Sequence, residues 1–502
     1  MNRYGSAVRQ RGPIQITPER VRVSVSLLLL AWLGHKIAAV LGWFLRHPKM
    51  VPVIPAVWVS VSLARSAGPV VLAAGLAGVV VLLAGWQWRW PATFARFLGL
   101  PVRGLWRGRW VYAYAWQPAM QTTGLAINRT GTEHLPVIRR VRSTASVDQV
   151  RVRMLPGQVL DDWAKAAPRL AQTFSARECR VRSTTKEHEL GLWFLVVDPL
   201  GEIVAPFGLD DTVDRQVADL NALPVGLRED GLVYKLGLLG THVLAVGATG
   251  SGKGSVIWSL LNALGPAIRD RTCVVWALDP KGGMELAPGR RLFSKFVYGD
   301  PTDTLNGSTS TAYEVEFAAV LEDAVAVMRR RQSVLRGVTR LHTPSAQEPL
   351  VVIVVDEIAS LTAYVVDRDA KRRIAAALAL LLSQGRAVGV VVVGAVQDPR
   401  KEILTVRDLF PTRIALRLSE VDHVALVLGQ GARDRGARCD QIPESLPGVG
   451  YVGIDGVAEP VRVRFTYLTD EQIADLAFRY APAPLVSVAP PESSTPGLEL
   501  VR

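Results

Sequence analysis

The sequence predicts an α/β chain: a P-loop domain built on a largely parallel sheet, a small α+β domain before it, and an N-terminal membrane region. Three observations predict it. A short apolar strand at His242 to Val246 runs into a glycine-rich turn and leaves it through the apolar helical pattern of Val256 to Leu261. An entirely apolar run, Leu350 to Val355, ends in the paired carboxylates Asp356 and Glu357. The stretch from Ser66 to Trp88 carries no charge and is bracketed by Arg65 and Arg89.

The turn reads Gly247, Ala248, Thr249, Gly250, Ser251, Gly252, Lys253, Gly254, Ser255. Its glycines let the backbone curl so that successive N–H groups, with the positive end of the following helix, surround a phosphate chain. All nine are candidate nucleotide-binding residues, and Lys253 reaches the outer phosphates as a point charge. A nucleotide with Mg²⁺ is the implied ligand. One position departs from the usual pattern: the residue after the lysine, ordinarily Ser or Thr with its hydroxyl on the metal, is Gly254. Either a slipped register brings Ser255 to the metal, or water replaces the hydroxyl.

A chain of 502 residues exceeds what one core serves, so two or three domains are expected. The formal charge of +13 favours an anionic partner, nucleic acid or an acidic membrane surface. Cys179, Cys273 and Cys439 are widely spaced and odd in number, which excludes a disulfide framework or a cysteine metal site and fits a reducing cytoplasm. No cleavable signal stands out.

Residues 1–22 read as a basic cytoplasmic tail and 23–88 as a transmembrane region with two spans, 23–45 and 66–88. His35 and Lys36 interrupt the first, at an insertion cost that Leu27 to Leu30 offset. Met50 to Ala64 is short, carries Pro52 and Pro55, and reads as an outer loop or re-entrant piece. Trp86, Trp88 and Trp90 sit where an interfacial belt lies. Arginines flank both ends (Arg3, Arg9, Arg11, Arg20 and Arg22 before, Arg89, Arg96, Arg103, Arg107 and Arg109 after), which places both flanks in the cytoplasm and makes the span count even. The expectation is a multi-pass protein of the cell membrane with its motor in the cytoplasm. The Trp106-Arg-Gly-Arg-Trp110 cluster reads more cheaply as a membrane-flanking anchor than as a DNA contact.

Residues 89–136 form a basic juxtamembrane connector. In the small α+β domain, 137–205, the run Val137 to Met154 alternates as one half-exposed strand, Asp161 to Phe174 is helical, and Glu178 to Ser183 and Leu190 to Val197 are strands. Its arginines, Arg139, Arg140, Arg142, Arg151, Arg153, Arg180 and Arg182, suit DNA and a solvated sheet face equally. The motor spans 222–470. Its strand Thr272 to Leu278 ends in Asp279-Pro-Lys-Gly-Gly283, at the carboxyl end where open α/β sheets build sites. The helix Tyr313 to Arg336 carries Arg329, Arg330 and Arg331, a pattern usual for a solvated helix end. Asp356 is placed to hold Mg²⁺ and Glu357 to polarise the attacking water. A helix from Arg372 to Gln384 leads through Gly385-Arg386-Ala387 into the strand Gly389 to Ala395, and Gln397 at its tip is a candidate γ-phosphate sensor. Arg386 and Arg413 are the candidates for an arginine acting on a neighbouring subunit, against the plainer reading of surface arginines. Residues 481–502, rich in Pro and Ser, read as a disordered tail.

The ordered set Pro224-Val-Gly226, His242 to Ser255, Asp279 to Gly283, Asp356-Glu357, Gly385-Arg386-Ala387 and Gln397 resembles the FtsK/SpoIIIE DNA translocases across roughly 222–470. Gly254, the two spans and the arginine-rich sequence look most like the main transfer proteins of actinobacterial conjugative plasmids and integrative elements. The resemblance implies a homo-hexameric RecA-like ring that threads double-stranded DNA at the expense of ATP, with other transfer proteins as further partners. It assigns Lys253 to phosphate, Asp356 and Glu357 to the Walker B pair, Gln397 to sensing, and prefers Arg386 to Arg413 as the trans-acting arginine. No helix-turn-helix pattern follows the motor, and the long linker of division translocases is missing. Both departures argue against segregation guided by DNA motifs. The expected function is a membrane-anchored, ATP-driven translocase of double-stranded DNA in conjugative transfer. Chromosome partition and type VII-like protein export are the alternatives, and a scaffold with a degenerate nucleotide site rests on Gly254 alone.

Overall fold

The computed structural model describes residues 77–482 except 130–131, 209–216, 300–303, 306–307, 310–311, 401–404 and 458, together with 70 and 73–75. The basic tail, the first expected span and nearly all of the Ser/Pro-rich C-terminal stretch lie outside the described residues. Two compact units divide the chain at Phe97 and Leu98.

In the first unit, residues 77–89 are helical, and Val79, Val80, Val81, Leu82 and Trp88 are all exposed. Among the described residues no helix is long and apolar enough to cross a membrane.

The second unit opens with helices α1 (Leu100–Arg107) and α2 (Ala113–Thr122) and a small hairpin, β1 (Ile127–Arg129) and β2 (Thr132–His134). A four-stranded antiparallel sheet follows in the order β3-β4-β6-β5, with β3 Val137–Ser143, β4 Val147–Arg153, β5 Glu178–Ser183 and β6 Glu189–Leu195. Helix α3 (Leu160–Thr173) covers one face. The single strand expected from Val137 to Met154 is therefore a hairpin. Alternation continues on both sides of Thr144-Ala-Ser146, but Thr144 turns the chain: its N–H donates to the Val147 carbonyl at 2.8 Å, and its hydroxyl accepts from Val147 N at 3.0 Å.

Residues read as connector join this core, where Tyr112, Trp116, Ala119 and Met120 pack with Trp163, Phe174 and Phe194. Arg107, read as part of a membrane-flanking cluster, is instead the ion-pair partner of the fully buried Asp148, which also accepts from Tyr112 Oη at 2.8 Å and Ser143 Oγ at 2.6 Å.

The region read as the motor holds one ten-stranded sheet. Its strands are β7 (Leu223–Arg228), β8 (Val233–Leu236), β9 (Val243–Val246), β10 (Cys273–Asp279), β11 (Phe293–Tyr298), β14 (Leu350–Val355), β15 (Val390–Val396), β16 (Thr412–Ala415), β17 (Val449–Ile454) and β18 (Val461–Phe465). Two-residue strands β12 (Thr304–Leu305) and β13 (Ser308–Thr309) pair apart from it. The order is β11-β10-β14-β15-β9-β16-β17-β18-β7-β8. The first six strands are parallel, and the last four extend the sheet in antiparallel fashion.

Helices α4 (Lys253–Arg269) and α8 (Asp470–Arg479) cover one face; α5 (Ala312–Leu335), α6 (Arg368–Leu380) and α7 (Val421–Leu428) cover the other. Both faces being covered explains why β14 and β15 are apolar at every position and buried at every residue. Arg331 corrects the reading of a solvated helix end. It is 4% exposed and donates to the carbonyls of Val388, Gly389 and Pro349 at 2.6–3.1 Å, fastening α5 to the entry of β14 and β15.

Candidate functional site

Parallel strands deliver their following residues to one edge of the sheet. Register aligns Val246 with Val396 and with Ala415, and Val355 with Leu278. The residues just beyond these tips, Gly247, Gln397, Arg417, Asp356 and Asp279, therefore converge on one side, as expected for an open α/β sheet. A recess of about 470 Å³ opens there, lined by the glycine-rich turn with Lys281, Glu285, Asp356 and Gln397.

The turn is held from both sides. Gly247 N donates to Val396 O at 3.1 Å and Ala248 N to Arg417 O at 2.9 Å. Gly252 has φ +93°, and a Cβ there would overlap the backbone nitrogen of Gly448, whose N–H donates to Ser251 O at 2.9 Å. Only glycine meets both demands. Helix α4 then starts at Lys253 with its first N–H groups facing the recess side of the turn. Lys253 Nζ donates to Gly247 O at 2.8 Å and Ala248 O at 3.3 Å, folded back over the loop it serves. Burial lowers its pKa, while Glu357 pulls the other way.

The carboxylates lie beside it. Asp356 is 3% exposed, and its Oδ2 accepts from Lys281 Nζ at 2.7 Å. Glu357 is 6% exposed with no hydrogen-bond partner on either oxygen, and Lys281 at 3.8 Å is a neighbouring cation. Burial raises the Glu357 pKa against the pull of Lys281 and Lys253. Burial opposes the charge on Lys281, but its bond to Asp356 outweighs this and its pKa is raised. Gln397 Oε1 accepts from Thr249 Oγ1 at 3.1 Å, tying the strand tip to the turn.

Lys253, Asp356, Glu357 and Gln397 are thus brought together, and Arg386 is not. It stands exposed before β15, at the opposite end of the strand from Gln397, roughly 20 Å away at about 3.3 Å per residue. Arg413, also at a strand entry, is occupied by Asp455 at 2.9 Å. Ser255 lines the recess with Gly254, and its Oγ lies 3.6 Å from where a Cβ of residue 448 would sit.

Sequence reasoning missed Glu285 and the individual role of Lys281. It also missed Asp279 as the organiser of their loop: fully buried, it accepts from the N–H groups of Lys281, Glu285 and Leu286 at 3.0–3.1 Å. An aspartate at a strand tip followed by Pro and two glycines was the available signal. Arg417, bonded to Thr249 O at 2.9 Å, had none.

These residues fit a Mg²⁺-nucleotide. The glycine cradle leaves no room for side chains, Lys253 supplies positive charge, and Glu357 and Ser251 Oγ are buried polar groups with no partner of their own.

A second surface is basic. Cross-strand register lines up Arg140, Arg151, Gly191 and Arg182 in one row and Arg142, Gln149, Trp193 and Arg180 in the next. Arg180 and Arg182 are neutralised by Glu178 on the same strand and by Glu229 and Glu459, which join this sheet to the ten-stranded one. Arg140, Arg142 and Arg151 are exposed around a recess of about 330 Å³ and have no carboxylate partner among the described residues.

No protein-family profile matches the chain. It is 28% identical over 401 residues to the transfer protein TraSA of Streptomyces ambofaciens, covering 73% of this chain and 91% of that protein. It is 22% identical over 364 residues to the DNA translocase FtsK of Staphylococcus aureus, covering 68% of this chain but only 42% of the relative's length. The solved structure of the pCW3 conjugation coupling protein TcpA, in monomer form with ATPγS, aligns over 72% of this chain and 98% of its own at 17% identity and TM-score 0.45. The two sequence relatives bear out the resemblance of this chain to FtsK-type DNA translocases and to conjugative transfer proteins.

Proposed function

We propose that the protein is a membrane-anchored ATPase that moves double-stranded DNA during conjugative transfer. The observation that carries this is the convergence of Lys253, Asp356 and Gln397 on one recess, with Glu357 buried beside it 3.8 Å from Lys281, in a chain of charge +13 that aligns with 91% of a transfer protein. The charge-free run from Ser66 to Trp88, with exposed Val79 to Leu82, supports the anchor.

The turn from Gly247 to Ser255 binds the phosphates through its N–H groups, and Lys253 exchanges its two carbonyl partners for phosphate oxygens. Asp356 holds the metal. Bound Mg²⁺ neutralises charge developing on the phosphates. Glu357, ionised and without a hydrogen-bond partner, orients the attacking water and takes up its proton. Gln397 reports the state of the site to the turn through Thr249. Trp258, Tyr467 and Ile473 wall the recess with apolar surface suited to a purine. Arg386, far from its own site, acts on a neighbour's in a homo-hexameric ring. Arg140, Arg142 and Arg151 offer a sequence-neutral grip on DNA phosphates.

The test is ATP turnover by the full-length chain with long duplex, single-stranded DNA or none, beside Lys253→Ala. Duplex-specific stimulation abolished in the variant is expected. Turnover indifferent to DNA would overturn the cargo and favour protein export, and no turnover would overturn the ATPase.

A further inference from the structure

Gly254 stands where the ordinary motif puts the metal-binding hydroxyl, and the structure shows what fills the space. A Cβ built on residue 254 would overlap Glu285 Oε1 and lie 3.3 Å from its Cδ. The carboxylate of Glu285 therefore occupies the position of the missing side chain. It arrives from the loop after β10, fixed by buried Asp279, whose Oδ2 accepts from the Glu285 N–H at 3.1 Å. It lines the recess together with Asp356 and Lys253.

We infer that Glu285 takes the place of the P-loop hydroxyl as the protein's second oxygen ligand to the nucleotide-bound metal, beside Asp356. This rests on the ATPase reading above and deepens it.

The chemistry suits the exchange. Mg²⁺ takes hard oxygen ligands, commonly one or two carboxylates with phosphates and water completing its shell. A carboxylate adds a full negative charge where the usual hydroxyl adds none, so this chain relies more on protein charge to hold its metal. Ser255, one position on, also lines the recess, with its hydroxyl side against Gly448, while position 254, about 100° away around the helix, is the one that meets Glu285. Glu285 and Asp356 share the recess with Lys253 and Lys281. A competing role, as a simple counter-charge to Lys253 and Lys281, makes a different prediction: it involves the lysines whether or not metal is present.

The test uses the full-length chain and ATPγS, with affinity measured in Mg²⁺ and in EDTA and Mn²⁺ binding followed by EPR. Glu285→Gln, which preserves shape, is expected to leave metal-free affinity within about twofold while Mn²⁺ affinity in the nucleotide complex falls at least about tenfold, the scale on which even outer partners alter a metal site. Gly254→Ser alone is expected to weaken nucleotide binding by its overlap with Glu285, and Gly254→Ser with Glu285→Ala to restore metal dependence through the new hydroxyl. Equal loss with and without metal, or unchanged Mn²⁺ affinity in Glu285→Gln, would overturn the assignment while leaving the ATPase reading intact. Failure of the unaltered chain to bind ATPγS would overturn both.

Discussion

Glu357 is buried, both its oxygens lack hydrogen bonds, and burial has raised its pKa. Its replacement by Gln is the most informative single perturbation of the site, because the carboxylate's two consequences have opposite signs. As the group that activates water it supports turnover, and its loss is expected to cost about 10²–10⁴ in rate. As a buried charge it costs stability. Burying a carboxylate costs more than burying the neutral amide of the same shape, so the substitution is expected to recover about 1–2 kcal/mol, part being offset by lost attraction to Lys281 at 3.8 Å. For a domain of this size that corresponds to a rise of about 2–8 °C in Tm.

The pH dependence follows from the raised pKa. The folded carboxylate binds its proton more tightly than the unfolded one, so its destabilising effect is present above the folded pKa and disappears as pH falls through it toward 4.5. Thermal melts of both proteins between pH 8 and pH 4.5, beside single-turnover hydrolysis, test the argument. The stability gap is expected to be widest at pH 8 and to close in acid. A Gln variant that is less stable at pH 8, or that keeps more than about a third of the turnover, would refute the reasoning.

Other consequences are as direct. Asp148→Ala strands Arg107 and removes acceptors from Tyr112 and Ser143 in a fully buried site, so denaturant titration is expected to show a loss of about 3–5 kcal/mol. Arg140→Ala with Arg151→Ala is expected to weaken duplex binding without sequence bias and to flatten the log K against log salt slope by about 1–2, while ATP turnover without DNA is unchanged. An unchanged slope in binding isotherms would remove this face from the DNA path. His242 is fully buried, accepts from Val392 N at 3.0 Å, and burial with nearby Arg386 lowers its pKa to about 4. Its neutral form is required by the fold, so stability falls as pH drops from 6.5 toward 4, by about 3 kcal/mol from this group. Equilibrium unfolding of His242→Gln, which keeps an acceptor, should lack that component.

What the sequence determined by itself was local in origin. The turn from Gly247 to Gly254 specifies its own backbone path, because glycines with positive φ and a helix N-terminus are contiguous features. The Leu350 to Val355 run declares a strand buried on both faces, because nothing polar interrupts it, and chain continuity then puts Asp356 and Glu357 at its tip. A parallel sheet carries such tips to one edge, so Lys253, Asp356, Glu357 and Gln397 could be placed together from pattern alone.

Only the tertiary structure decided which charges are partnered. Arg331 read as part of a solvated helix end and Arg107 as part of a membrane-flanking anchor because a charge run looks the same whether or not distant carbonyls or a buried Asp148 await it. Arg180 and Arg182 are neutralised by Glu229 and Glu459, from other strands and loops, while Arg140, Arg142 and Arg151 remain open. The antiparallel extension of the sheet needed pairing between β16 and β17 and between β18 and β7, set by register across long separations. Gly254 looked like a defect in the motif because the side chain filling its place lies thirty-one residues further along, on the loop after another strand. A residue's neighbours along the chain fix its backbone; what its side chain meets is a property of the packed sheet.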